Sequence, residues 1–227
     1  MRFLSRSSKR TFRNWAGTVE VAPREFLQPA SEAEVVAAVR AARRRAGQVR
    51  VVGAGHSWTD VAVCDDVLIS LDRMQEIHEV DYERLQVTVD AGIRLHRLVE
   101  ELDARGLALL NLGSVVEQSL AGAISTGTHG SGLAYGALPT QMTAFRLVTG
   151  TGEVIDVDAE AAPELFAAGA VSFGCLGIIT RITLQVEPSY DIEEHCFSLP
   201  FDELLETAEH LYTDHPRVKF WWLPHTG

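Results

Sequence analysis

Two stretches of this chain hold residues whose types and spacing could do chemistry. The first is Val51-Val52-Gly53-Ala54-Gly55-His56-Ser57. The run Val49 to Val52 reads as a buried strand that breaks into two glycines flanking one alanine. Glycine lets a backbone approach a ligand closely or take a positive φ angle. Backbone N–H groups bared in such a turn hold an anion without any lysine. His56 follows directly and is presented to whatever the turn holds, so the ligand expected here is a phosphate-bearing cofactor that His56 touches.

The second stretch runs from Gln118 to Phe145 and contains no Asp, Glu, Lys or Arg. Gly122, Gly127, Gly130, Gly132 and Gly136 alternate there with Ser119, Ser125, Thr126, Thr128 and Ser131. So many glycines make a poor helix. The pattern suits a backbone threaded closely past a ligand, with hydroxyls and N–H groups as donors. The competing reading is a glycine-rich buried loop that holds no ligand.

Familiar phosphate motifs fail at the first stretch. A dinucleotide fingerprint needs a third glycine where Trp58 stands, and Asp72 follows the wrong loop to serve as its ribose acid. A triphosphate loop needs Gly-Lys-Ser/Thr, and the residue before Ser57 is His56. No Gly-x-Ser-x-Gly elbow surrounds Ser57, so a nucleophilic serine is weakly supported. His56 and His129 lack neighbouring ligands at metal spacing, so no metal site is expected.

Composition narrows the class. The 227 residues suffice for one large domain or two smaller ones. A net charge of −11 argues against nucleic acid or an anionic membrane as the main partner. Arg2, Arg6, Lys9, Arg10 and Arg13 form a local exception, read as a basic arm over residues 1–13 rather than an export signal. Three widely spaced cysteines, Cys64, Cys175 and Cys196, offer neither a disulfide framework nor a zinc pattern. The uncharged run Leu165 to Thr180 is too short for a membrane span and reads as buried core. A soluble, cytoplasmic protein is the expectation.

The elements that must position these stretches follow from periodicity and caps. Glu20 to Pro23 reads as a short strand. Ser31 and Glu34 form a capping box ahead of a helix whose last turns carry Arg43, Arg44 and Arg45, read as a solvated end, and which Gly47 stops. With the strands Val49–Val52 and Val67–Leu71 this makes a small α/β unit. Ile77–Val80 and Leu85–Val89 read as an antiparallel pair, followed by a helix bearing Leu95, Leu98, Val99 and Leu102, with His96 on its surface. Thr143–Thr149 and Glu153–Val157 form a hairpin, Leu165–Ala168 a short helix, and Gly177–Val186 a long strand. Beyond Pro188 a strand near Tyr190–Leu199, a helix Phe201–Tyr212 and a strand Val218–Leu223 read as a further unit whose apolar face has its covering partner elsewhere.

Two neutral glycine-rich loops, each with one histidine, resemble the FAD-binding domain of the vanillyl-alcohol oxidase and p-cresol methylhydroxylase type, and more closely its aldonolactone and alditol oxidase branch, which includes gulonolactone, galactonolactone and arabinonolactone oxidases. The residues that carry the resemblance are Asn14 to Gly17, Val52 to Trp58, Ser114 together with Ser119 to Gly132, and Phe173 to Ile179. The likeness runs from about residue 14 to 188. It implies an α+β fold with a small α/β subdomain (about 14–76) and a mostly antiparallel sheet with helices (about 77–188), followed by the start of a cap domain at 189–227.

By position, the resemblance implies that Val51, Val52, Gly53, Ala54, Gly55 and Ser57 wrap the FAD pyrophosphate. Ser114, Ser119, Gly122, Thr126, Gly127, Thr128 and His129 would supply a second wall, with His129 in backbone contact rather than catalysis, and Ile178 or Ile179 would pack near the cofactor. His56 matches the histidine that bonds covalently to the flavin 8α carbon. A neutral imidazole is the nucleophile that bond needs, and histidine side chains have a reference pKa of about 6.5. The implied reaction is hydride removal from a CH–OH carbon of a sugar lactone or polyol to flavin N5, with oxygen or another acceptor reoxidising the flavin. Substrate-side acids and bases would lie in the cap and beyond, so no catalytic residue is assigned within this chain. Two other readings stand beside this one. One is a catalytically incomplete flavin-binding module or half of a split enzyme, needing a partner chain for the rest of the cap; the other is a cell-wall precursor reductase of the same fold.

Overall fold

The structure is a computed structural model that describes residues 10–224. Most of the basic arm expected at 1–13 therefore lies outside the described residues. Arg10 and Arg13 are described: Arg10 donates to Gln28 Oε1 at 2.9 Å and sits over the Phe26 ring.

The first unit is built on a parallel sheet. A two-residue hairpin, β1 (Phe12–Arg13) with β2 (Glu20–Val21), precedes β3 (Glu25–Leu27), helix α1 (Glu32–Arg44), β4 (Val49–Val52) and β5 (Val67–Ser70). The parallel order is β3-β5-β4, so α1 crosses over β5 and returns the chain to its far side. All four residues of β5 are buried, which is why it reads as an unbroken apolar run. Helix α1 starts as its cap dictates, with Ser31 Oγ accepting from Glu34 N. Glu34 reaches one residue further back than a capping box, to Ala30 N at 2.8 Å. Val35, Ala38, Val39 and Ala42 form its buried stripe. At its far end Arg45 is held by Asp66 and Glu25 at 2.8 and 3.0 Å, so Arg45 of the triple arginine is paired rather than solvated. The hydrogen bond from Arg45 holds the Asp66 carboxyl below its ordinary range, and Gln48 N adds to that.

The second unit is antiparallel. It contains β6 (Ile77–Asp81), β7 (Gln86–Asp90), α2 (Leu95–Asp103), β8 (Leu107–Ala108), α3 (Leu120–Ser125), a 3-10 turn at Leu138–Gln141, β9 (Met142–Val148), β10 (Val154–Asp158), α4 (Pro163–Gly169), β11 (Ile178–Gln185) and β12 (Glu187–Pro188). Five strands lie in the order β10-β9-β11-β7-β6, all pairs antiparallel. A bulge in β11 around Thr180 turns that residue toward α1. There Glu32 accepts from Thr180 Oγ1 at 2.8 Å and from Arg146 Nε at 2.9 Å, tying the first unit to the second. One contiguous core runs from Leu27 to Val186 across both units.

Three expectations change. Helix α3 forms inside the glycine-rich segment because Leu120, Ala123 and Ile124 bury there, and burial outweighs the propensity cost of Gly122. Leu165 to Thr180 is not wholly core, since Val171, Phe173 and Cys175 are exposed. After helix α5 (Phe201–Asp214) and before it, no strand is assigned at 190–199 or 218–223. A strand exists only as one side of a ladder, and intrinsic propensity does not supply the other side. The segment is nevertheless anchored. The Arg217 guanidinium lies over the rings of Tyr135 and Tyr190, and donates to Leu110 O at 2.9 Å and to the Tyr190 hydroxyl at 2.8 Å. Burial pushes that Tyr190 hydroxyl above its usual pKa. Phe220 to Leu223 stay exposed, as does most of α5.

Candidate functional site

The first glycine stretch emerges from the carboxyl end of β4, where ligands of α/β units bind. Its shape is set by a residue far away in sequence. Asn14 is buried, donates its Nδ2 to Ser57 O at 3.0 Å, and accepts at Oδ1 from Val19 N at 3.0 Å. Thr18 Oγ1 holds Trp58 O at 3.0 Å, and Trp15 N donates to Gly55 O at 2.8 Å. The segment 14–19 is thus a clasp on the loop. Gly55 has φ +75°, which a side chain rarely adopts, and a Cβ there would press on Phe12.

The opposite wall is α3. The amides of Leu120 and Ala121 are used by the carbonyls of Ile93 and Ala91, so the helix is docked on the turn that follows β7. It presents Ser119, Gly122, Ser125 and Thr126 to the cleft. The walls come together at Gly53, where any Cβ would overlap Ser119 Oγ. The third side is the loop Ser172 to Gly177 and the start of β11, Ile178 and Ile179. Phe173 stands at this rim, 49% exposed and with φ +51°, a strained conformation for a bulky side chain.

The space between these three sides is a cleft that opens to solvent. Of the residues proposed from sequence, the cleft brings together Val51, Val52, Gly53, Ala54, Gly55, His56, Ser57, Ser119, Gly122, Thr126, Ile178 and Ile179. Ser114, Gly127, Thr128 and His129 do not line it. Thr128 is turned into structure: its amide bonds Ala123 O, its carbonyl takes Leu138 N, and its hydroxyl takes Gln118 Nε2. Gly127 N closes the end of α3 on Ile124 O. His129 and Ser114 are exposed, and among the described residues the His129 ring bonds only its neighbour's carbonyl, Gly130 O.

The lining residues that sequence reading did not assign to the site include Phe12, Asn14, Arg50 and Phe173. Arg50 had a signal, since it interrupts an otherwise apolar strand directly before the glycines. It is the one cation among the cleft's lining residues, and Asp72 the one carboxylate, which is itself paired with Arg94. In a chain of net charge −11, this surface is therefore neutral to positive. A glycine cradle that a Cβ would fill, hydroxyl donors and one unopposed cation suit a pyrophosphate. His56 faces the same space. Among the described residues no group of three or more His, Cys, Asp or Glu is gathered as for a metal ion, and no helix is long and apolar enough to cross a membrane.

A two-unit α+β scaffold with a cleft between two glycine walls defines a cofactor-binding domain. The chain belongs to the family described as FAD binding domain, which it matches over residues 23–158. It is 43% identical over 218 residues to D-arabinono-1,4-lactone oxidase of Eremothecium gossypii, covering 94% of this chain and 41% of that protein. The D-arabinono-1,4-lactone oxidase of Saccharomyces cerevisiae is 41% identical, with 95% and 42% covered. L-gulonolactone oxidase of Bos taurus is 38% identical, with 95% and 49% covered. The chain therefore spans less than half the length of these relatives. Among solved structures it is similar to a solvent-stable cholesterol oxidase, with a TM-score of 0.73 and 23% identity over 79% of this chain and 37% of that one. The p-cresol methylhydroxylase-type fold expected from the sequence is the fold found.

Proposed function

We propose that this chain is the FAD-holding part of an oxidoreductase that oxidises a CH–OH group of a sugar 1,4-lactone or alditol. The observation that carries the reading is the cleft itself: two glycine walls meeting at Gly53 and Ser119, with His56 lining the same space. The names of the relatives, oxidases of D-arabinono-1,4-lactone and L-gulonolactone, supply the substrate class.

Bound FAD would supply a two-electron acceptor for the hydride of a carbinol carbon. The residues of the chain do the holding. Amides and hydroxyls from Gly53 to Ser57, with the Ser119 and Ser125 hydroxyls on the opposite wall, would bind the pyrophosphate, with Arg50 as counter-charge. Ile178 and Ile179 exclude water from the same cleft. His56 would be joined through one ring nitrogen to the 8α carbon of the bound flavin. That link would exchange a C–H and an N–H bond for a C–N bond, and dioxygen would take up the two electrons and two protons released as hydrogen peroxide. Neither ring nitrogen of His56 has a hydrogen-bond partner among the described residues, so its lone pair is available for that bond.

No catalytic group for the substrate is assigned among the residues of this chain, and a cytoplasmic location belongs to the same proposal. The test is anaerobic mixing of the flavin-loaded protein with aldono-1,4-lactones and alditols. Loss of the visible flavin absorption with at least one of them is expected. Flavin that stays oxidised with all of them would contradict the oxidase reading and favour a cofactor-binding module that needs a partner chain.

A further inference from the structure

We propose that Trp15 is a positioning residue that orients the His56 ring for bond formation with the flavin. The proposal rests on the reading of His56 given above. Trp15 is 69% exposed and belongs to no core cluster, yet its place is fixed. Its amide donates to Gly55 O at 2.8 Å, and its neighbour Asn14 is clamped between Val19 and Ser57. From that anchored backbone the indole stacks near-parallel with the His56 imidazole, ring centroids 5.8 Å apart and planes 21° from parallel. Trp58 backs it edge-on, with centroids 6.2 Å apart and planes at 67°.

The stack is the only partner recorded for the imidazole among the described residues. This is an uncommon way to fix a histidine, since ring orientation is ordinarily set by a hydrogen bond to one nitrogen. Stacking fixes the ring plane and leaves both nitrogens unused. A nucleophilic imidazole needs both conditions at once, a fixed direction and a free lone pair. Without the stack the terminal torsion of histidine is broad and the ring samples unproductive angles. Aromatic pairs of this kind bias the ring population about tenfold. Trp15 stacks on His56 and is not among the cleft's lining residues, so its role is orientation rather than catalysis.

The test uses the full chain produced without flavin and then mixed with FAD. Two quantities are followed: reversible FAD affinity, from quenching of flavin fluorescence, and the rate at which flavin becomes resistant to acid release. Trp15→Ala should slow attachment about tenfold while affinity stays within about twofold, and Trp15→Phe should restore most of the rate. In the flavin-free protein the His56 ring protons should carry an upfield ring-current shift that Trp15→Ala removes. Attachment by Trp15→Ala at the wild-type rate, a loss that only follows weaker FAD affinity, or unshifted His56 protons would each overturn the proposal. A wild-type chain that binds FAD but never fixes it overturns the reading of His56, and Trp15's role with it.

Discussion

The His56→Ala chain should bind FAD and lose all of it on acid precipitation, whereas the wild-type chain keeps its flavin in the pellet. The effect is all-or-none because no other nucleophile among the lining residues faces the same space as His56; Ser57 and Ser119 hydroxyls are far weaker nucleophiles near neutral pH than a neutral imidazole. Reversible binding should survive, since the walls that hold the pyrophosphate are Gly53 to Ser57 and Ser119 to Thr126, and none depends on the imidazole. His56 makes no hydrogen bond that the loop needs; the loop is clasped by Asn14, Thr18 and the Trp15 amide. The variant should therefore fold as the wild type does. Complete loss of FAD binding from a folded His56→Ala chain would place the histidine among the structural supports of the cleft instead.

Gly53→Asp should weaken reversible FAD binding by ~100-fold or more, because it sets a carboxylate against the pyrophosphate at the point where the two walls meet, and like charges so placed cost several kcal/mol. The Cβ alone would displace Ser119 Oγ, removing one donor as well. Gly150→Asp is the control, an exposed turn position with nothing near its Cβ. It adds the same charge to the same chain and should leave FAD affinity unchanged. Both affinities are read from flavin fluorescence quenching, with a thermal melt to confirm that each variant is folded. Equal affinities for the two would mean that the phosphates are held elsewhere.

Much of the scaffold was legible because its signals are local. Ser31 caps α1 as expected, the buried run of β5 and the hairpin of β9 and β10 follow from apolar pattern, and Gly53 to Gly55 make the turn their residue types demand. What sequence reading lost was set by distant partners. The short strands β1 and β3 carry too few residues for a period to show, and each exists because a neighbour, β2 or β5, supplies its ladder. Asn14 is a clasp only because the chain returns to it more than forty residues later at Ser57.

The uncharged segment after Gln118 had two possible causes, ligand approach and burial, and both operate. Leu120, Ala123 and Ile124 are uncharged because they enter the core, whereas Ser119, Gly122 and Thr126 face the cleft. Composition could not separate them; a six-residue helix did, by gathering residues three and four apart on one side. The same helix ends by using the amides of Gly127 and Thr128, which keeps those residues and His129 off the cleft lining. Phe173, quoted from sequence only for the resemblance, was not assigned to the site for the opposite reason. An apolar residue in an apolar run reads as core, yet its positive φ places it on the rim.

The central claim is that the cleft between Gly53 and Ser119 holds FAD and that His56 fixes it. The most direct measurement is acid precipitation of the purified wild-type chain followed by proteolysis and mass spectrometry of the coloured peptide. The account predicts a yellow pellet and a single flavin-bearing peptide that contains His56, heavier than the bare peptide by FAD less two hydrogens. A colourless pellet with free FAD in the supernatant, or flavin on a peptide lacking His56, would contradict it.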